Sequence, residues 1–207
     1  LCVLSGPNLS QEVVEGKPSS TVVAGYNFAT ATWVQELYSS DTFRVYTNDD
    51  VIGVELGGAL KNAIAIGAGI SDGLGYGANG KAAFVTRGLA EITRLSVACG
   101  AKPLTMSGLA GFGDMIATCF SSLSRNRYVG EQIGQGHPLS RVLGSMVHVA
   151  EGVSTTEAAL RLAKQHGVEM PITELTARIL FDGLDPKDAA VALLNRTPGQ
   201  EWPTDLH

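Results

Sequence analysis

The run "VELGGALKNAIAIGAGI", residues 54–70, restricts the possible folds of this chain more than any other stretch. Apart from Glu55, Lys61 and Asn62 it holds only Gly, Ala, Val, Ile and Leu, which suits a helix packed closely on most of its faces. Burying a lone ammonium is costly even after relaxation, so Lys61 must be answered by something. On a helix it would meet Gly57, Gly58, Ile64 and Ala65, none of which can do so. Glu55 is six residues away and well round the helix. Lys61 therefore snorkels to water, pairs with a group from another segment, or faces a site.

The chain of 207 residues is long enough for one large domain or two small ones with a substantial core. It is 44% hydrophobic and 17% charged, with a formal net charge of -5 and no basic tract. That balance argues against nucleic acid or an anionic membrane as partner, and leaves room for a small anionic substrate met by a few local cations. Cys2, Cys99 and Cys119 are widely spaced and odd in number, as suits a reducing cytoplasm rather than a disulfide framework. Neither zinc spacing nor HExxH occurs, so no metal site is expected. The uninterrupted apolar runs are too short to span a bilayer, and no signal peptide is visible.

The first 48 residues alternate between β and α character. "LCVL", "STVVAGY" and "TFRVYTND" are strand candidates, and "NFATATWVQELYSS" carries a helical apolar stripe. Three short strands and one helix cannot cover both faces of a parallel sheet. With no initiator Met and an opening in mid-strand, residues 1–48 are expected to be the last part of an α/β domain. From Asn48 onward the texture is helical. Helices are predicted near 50–69, 78–99, 109–119, 124–135, 139–145, 154–166, 171–181 and 186–194, with a loose tail from Thr197. Asn48 or Asp49 is expected to cap the first of these. The fold class is thus mainly α, with a helical domain over 49–207 behind an incomplete α/β unit over 1–48.

Four motifs carry potential chemistry. "GYGANG", Gly75 to Gly80, follows a helix rather than a strand and reads as a helix-to-helix connection, not a dinucleotide loop. "SGPNLSQEV" places Gly6, Asn8 and Ser10 after a strand, where open α/β sheets bind ligands; Asn8 could equally cap a short helix. In "GLAGFGDMIATCFSSLSRNRYVG", Asp114 is either an N-cap or a site carboxylate. Ser124, Arg125 and Asn126 form either a solvated turn or a phosphate cradle. In "VAEGVSTTE", Glu151 is a surface carboxylate or a nucleotide contact, and Ser154 with Glu157 reads as a capping box.

Together "SGPNLSQEV", "GALKNAIAIGAGISDGLGYGANGKAAFVTRGLAE", "SGLAGFGDMIATC", "SRNRYVG" and "VAEGVSTT" resemble the prokaryotic-type NAD(P)-dependent glycerol-3-phosphate dehydrogenases. The resemblance runs from Leu1 to about Pro186. It implies a Rossmann domain followed by a helical domain, and reversible reduction of dihydroxyacetone phosphate to sn-glycerol 3-phosphate for phospholipid synthesis, with NAD or NADP as cofactor. It implies Lys61 as proton donor and acceptor, and Gly6, Asn8, Asn62, Asp114, Thr118, Ser124, Arg125 and Asn126 as substrate residues. Ser10, Arg125, Val149 and Glu151 are implied cofactor contacts. Position 8 is Asn where this family usually has Ser or Thr, and position 10 is Ser where Ala is usual. The family's glycine loop and its other substrate-site lysine precede "SGP" and are not among these residues, so this chain alone is expected to lack activity.

Hydride reaching a ketone carbon leaves charge on its oxygen, and an ammonium in a dry helix can both stabilise that charge and supply the proton. Asp114 is the expected partner of the amine. Rival readings are a 3-hydroxyacid or 6-phosphogluconate-type dehydrogenase and a non-catalytic binding or dimerisation module, whose strands a partner or second copy would cover.

Overall fold

The computed structural model describes residues 1–197, 200 and 201; most of the expected tail lies outside them. A three-stranded sheet comes first, built from β1 (Cys2–Ser5), β2 (Ser19–Gly25) and β3 (Phe43–Asn48) in the order β1-β2-β3. A short helix, α1 (Ser10–Val14), follows β1, and α2 (Phe28–Tyr38) joins β2 to β3. β2 and β3 are parallel, with Thr21 opposite Val45, whereas β1 runs antiparallel to β2, with Ser5 opposite Val22. Asn27 caps α2 by accepting from the Thr30 amide at 3.1 Å.

Helices make up the rest: α3 (Val51–Gly73), α4 (Gly77–Ala98), α5 (Pro103–Met106), a π-turn (Leu109–Gly113), α6 (Asp114–Phe120), α7 (Arg125–Gly134), α8 (Leu139–Ser145), α9 (Gly152–His166), α10 (Pro171–Phe181) and α11 (Pro186–Leu194). The expected domain texture is present, with differences at the caps. Asp50, not Asn48 or Asp49, caps α3. Its carboxylate accepts from the Gly53 and Lys102 amides, both at 2.8 Å, tying the start of α3 to the turn after α4. The predicted 109–119 helix divides into the π-turn and α6. α9 starts at Gly152, so Ser154 bonds back to the Glu151 carbonyl and makes no capping box. Asn8 caps nothing, and its side chain donates to Thr21 Oγ1 at 3.1 Å.

α3 is the axle. At 1.5 Å per residue it is about 34 Å long, and its faces feed three apolar clusters. Leu60, Ile64 and Ala68 pack with Val85, Ile92 and Leu95 of α4, Met115 and Cys119 of α6, and Ala159 and Ala163 of α9. Ile66 and Ile70 pack with Val129, Ile133, Val142 and Leu180. Val51 and Val54 join Val22 and Ala24 of the sheet. By length and composition α3 could cross a membrane, yet most of its apolar stretch is buried inside the protein, as befits a core helix.

The closest approach is between α3 and α7. A Cβ on Gly130 would collide with the Ile66 carbonyl, and one on Gly69 with the Arg127 carbonyl. Backbone therefore lies directly on backbone. Gly134 meets Ile70 in the same way, so positions 66 and 70 of α3 face 130 and 134 of α7, and the two helices run parallel in register.

Glu91 of α4 is 2% exposed and caps α10 from outside, accepting from the Ile172 amide at 2.6 Å and from the Thr173 amide and hydroxyl at 3.2 and 3.1 Å. Burial pushes its carboxyl up to about 7, against the opposing pull of those donors and of Arg94.

Two predictions follow from this packing. Gly130→Ala should lower stability by about 1–3 kcal/mol, because no rotamer relieves a methyl pressed on a carbonyl. In contrast Gly144→Ala, where a Cβ meets nothing within 4 Å, should raise stability by about 0.5–1 kcal/mol; urea melts read both. For Glu91 the folded chain holds the proton more tightly than the unfolded chain. Stability should therefore fall as pH rises from the ordinary value of 4.5 to about 7, by about 3 kcal/mol, and then level off. Glu91→Gln should flatten that slope in thermal melts across the same range.

Candidate active site

The lysine in the apolar run is answered. Lys61 Nζ forms an ion pair with Asp114 Oδ1, and the two side chains are only 16% and 6% exposed. Asp114 reaches it because the glycine-rich segment before α6 tucks against α3. A Cβ on Gly57 would meet the Ala110 carbonyl at 2.7 Å, and one on Gly111 would strike the Met106 backbone. The π-turn ends at Gly113, so Asp114 opens α6 with its carboxylate facing α3; it makes no N-cap bond, contrary to that reading of the sequence.

Two hydroxyls complete the carboxylate's surroundings. Thr118 Oγ1 lies 2.7 Å from the Asp114 carbonyl and 3.3 Å from Oδ1, and Ser5 Oγ donates to Oδ2 at 3.4 Å. Burial pushes the Asp114 carboxyl above its ordinary value; Lys61, Thr118 and Ser5 pull it back only in part. Ser5 was not anticipated from sequence. The available sign was Gly58, one turn before Lys61, since a Cβ there would run into the Ser5 hydroxyl.

A second group lies where α3, α7 and α9 meet. Arg125 pairs with Glu151 at 3.0 Å, and both are about half exposed, at 47% and 51%. Behind them Asn126 donates to Asn62 Oδ1 at 3.0 Å and accepts from the Gly152 amide at 2.9 Å. The Ser124 hydroxyl is buried and accepts from the Arg127 amide at 3.2 Å, which makes it the N-cap of α7.

The remaining candidates are peripheral to both groups. Gly6 presses on β2, where a Cβ would stand 2.9 Å from Thr21 Cα. Ser10 opens α1 and Val149 precedes α9, both exposed, and no side-chain hydrogen bond ties Ser10 to either group among the described residues. "GYGANG" runs from the turn after α3 into the first turn of α4, with Gly75 and Gly77 at φ of +73° and +75°. Among the described residues no His, Cys, Asp and Glu cluster could hold a metal ion.

Lys61–Asp114 and Arg125–Glu151 are thus two ion pairs of different exposure, one sheltered and one half open to water. The family "NAD-dependent glycerol-3-phosphate dehydrogenase C-terminus" matches residues 50–191, and the chain belongs to it. It is 56% identical over 196 residues to a glycerol-3-phosphate dehydrogenase (NAD(P)+) of Citrifermentans bemidjiense, covering 95% of this chain and 58% of that relative. The identity is also 56% over 200 residues with the enzyme of that name from Geobacillus thermodenitrificans, again with 58% of the relative covered. Among solved structures, glycerol-3-phosphate dehydrogenase from Coxiella burnetii superposes with a TM-score of 0.92 at 42% identity, over 94% of this chain and 60% of that one. The chain thus spans less than two thirds of the length of these relatives.

Ser124 offers a test of the local reading. As a cap, its replacement by Ala should cost about 1 kcal/mol of stability, and replacement by Gly only a few tenths. Chemical denaturation of the two variants checks that order.

Proposed function

We propose that this chain forms the substrate-binding and proton-transfer part of an NAD(P)H-dependent glycerol-3-phosphate dehydrogenase, which reversibly reduces dihydroxyacetone phosphate to sn-glycerol 3-phosphate for phospholipid synthesis. The observation that carries this is the Lys61–Asp114 pair, two ionic side chains sheltered from water on an otherwise apolar helix surface. Family membership over 50–191 supports it. We assign residues 1–48 to the nucleotide-binding domain and 49–207 to the catalytic one, since the alternation of strand and helix stops at Asn48.

Lys61 is the group that gives the C2 oxygen its proton as the carbonyl carbon takes up hydride, and retrieves it in the reverse direction. Asp114 holds the amine in place and keeps its charge balanced when no substrate is present, and Thr118 and Ser5 brace the carboxylate. The substrate phosphate is assigned to Arg125, whose fork suits bidentate anion binding, with Asn62 and Asn126 beside it. Ser124 supports them as the cap of their helix. Gly6 and Asn8 belong to a turn at the edge of the pair; a Cβ on Gly113 would lie 3.7 Å from Pro7 of that turn.

Bound reduced nicotinamide supplies the hydride. The residues here suit one edge of a dinucleotide: Glu151 can accept from ribose hydroxyls, Arg125 can meet a phosphate, and exposed Val149 can cover an apolar ring face, with Ser10 further out. No GxGxxG loop joins a strand to a helix among the described residues, so most of the nucleotide grip is assigned to the portion of the relatives that this chain does not span. The exposed Phe28, Trp33 and Leu37 of α2 suit burial against the rest of that domain or a second copy of the chain. A cytoplasmic setting agrees with three unpaired cysteines.

In the complete enzyme, Lys61→Ala should lower kcat by about 10²–10⁴-fold with the melting transition retained, since Asp114 can then take up a proton. NADH consumption with dihydroxyacetone phosphate measures this, and near-normal turnover would remove Lys61 from the mechanism.

A further inference from the structure

Three consecutive residue pairs converge where α3, α7 and α9 meet: Lys61-Asn62, Arg125-Asn126 and Glu151-Gly152. The first member of each is charged and the second belongs to an inner chain of hydrogen bonds. Gly152 N donates to Asn126 Oδ1 at 2.9 Å, and Asn126 Nδ2 donates to Asn62 Oδ1 at 3.0 Å. Gly152 is buried, and a Cβ on it would collide with the Asn62 carbonyl and stand 2.9 Å from Asn126 Oδ1. No other residue type fits there without parting the helices.

The direction of this chain is not free. A carboxamide can turn end for end and offer either an acceptor or donors, but a backbone N–H can only donate. The Gly152 N–H is one of the unpaired donors of the first turn of α9, so Asn126 must turn its oxygen toward it. Asn126 is 4% exposed, and its NH₂ then has to find an acceptor within the protein, which is Asn62 Oδ1. That leaves the Asn62 NH₂ as the free end. It has no protein partner among the described residues and is not sealed in, because the only buried side-chain polar atom without a partner there is Ser96 Oγ.

We propose that Gly152 is a positioning residue that sets the polarity of the substrate site: through Asn126 it makes Asn62 present a donor, so that this corner reads an oxygen acceptor. Given the substrate reading above, on which this rests, that acceptor is a phosphate or hydroxyl oxygen of the phosphorylated triose. The device acts on binding and leaves the hydride step alone, so its signature is in KM rather than kcat.

The discriminating variant is Asn126→Asp. Aspartate still accepts from Gly152 but has no NH₂, so Asn62 must turn round to donate to it and expose its own oxygen instead. In the complete enzyme KM for dihydroxyacetone phosphate should rise by about tenfold or more, a larger factor than any loss in kcat. Gly152→Ala, whose methyl would press on Asn62 and Asn126, should shift KM in the same direction; an unchanged KM in Asn126→Asp would overturn the proposal. In ¹⁵N-labelled chain, the side-chain NH₂ of Asn126 should exchange slowly, while that of Asn62 should exchange fast and shift on addition of sn-glycerol 3-phosphate. The reverse order of exchange would overturn the polarity itself. A complete enzyme that does not turn over dihydroxyacetone phosphate would sink the substrate reading, while the exchange rates would still decide the amide direction.

Discussion

The structure depends on two helices lying backbone to backbone. Where Gly130 and Gly134 of α7 rest on the carbonyls of Ile66 and Ile70 in α3, the partners are separated by 64 positions in sequence. One further step along the same ladder places Asn126 opposite Asn62, and those two amides are hydrogen-bonded. The side chains preceding them, Lys61 and Arg125, are thereby brought to the same end of the helix pair. The far end is clamped by charge. Asp72 accepts from Arg127 Nε and Lys81 Nζ, each at 2.6 Å, and Arg127 also reaches Glu131 at 3.3 Å. Packing fixes the separation of the helices, and this ion cluster fixes their slide.

Burial sorts the charged groups by task. The Lys61–Asp114 pair is sheltered and weakly screened, and the lysine pulls against the burial that raises the Asp114 carboxyl. Arg125 and Glu151 are half exposed and held only loosely, as solvated pairs are. A sheltered pair suits proton exchange, while a loose one can open to admit an anion in place of the carboxylate. Glu91, equally buried, has a structural task, because its oxygens are committed to the start of α10. Cys119 is likewise out of reach of chemistry: burial pushes its thiol up to about 12.

Much of the helical part was legible in the sequence because its signals are local. Apolar periodicity and Pro or Gly punctuation located α8, α10 and α11 at their observed bounds, and the lone lysine in the apolar run pointed to a partner elsewhere. Caps were less legible, since their choice depends on contacts made far along the chain. Asp50 prevails over its neighbours because it also binds the Lys102 amide, and Asn8 turns to Thr21 because β2 is folded over it. The π-turn was hidden because its extra residue is accommodated by Gly57 of another helix. The antiparallel direction of β1 could not be read from four apolar residues. The inner amide chain was least visible of all, for a glycine donating its N–H to an asparagine 26 positions earlier leaves no pattern in sequence.

The 3.4 Å contact from Ser5 to Asp114 is the only side-chain hydrogen bond by which the sheet touches the carboxylate, among the described residues. Of the groups that pull the Asp114 carboxyl back down, Ser5 pulls least, so β1 meets the lysine's counterion through a single weak hydroxyl contact.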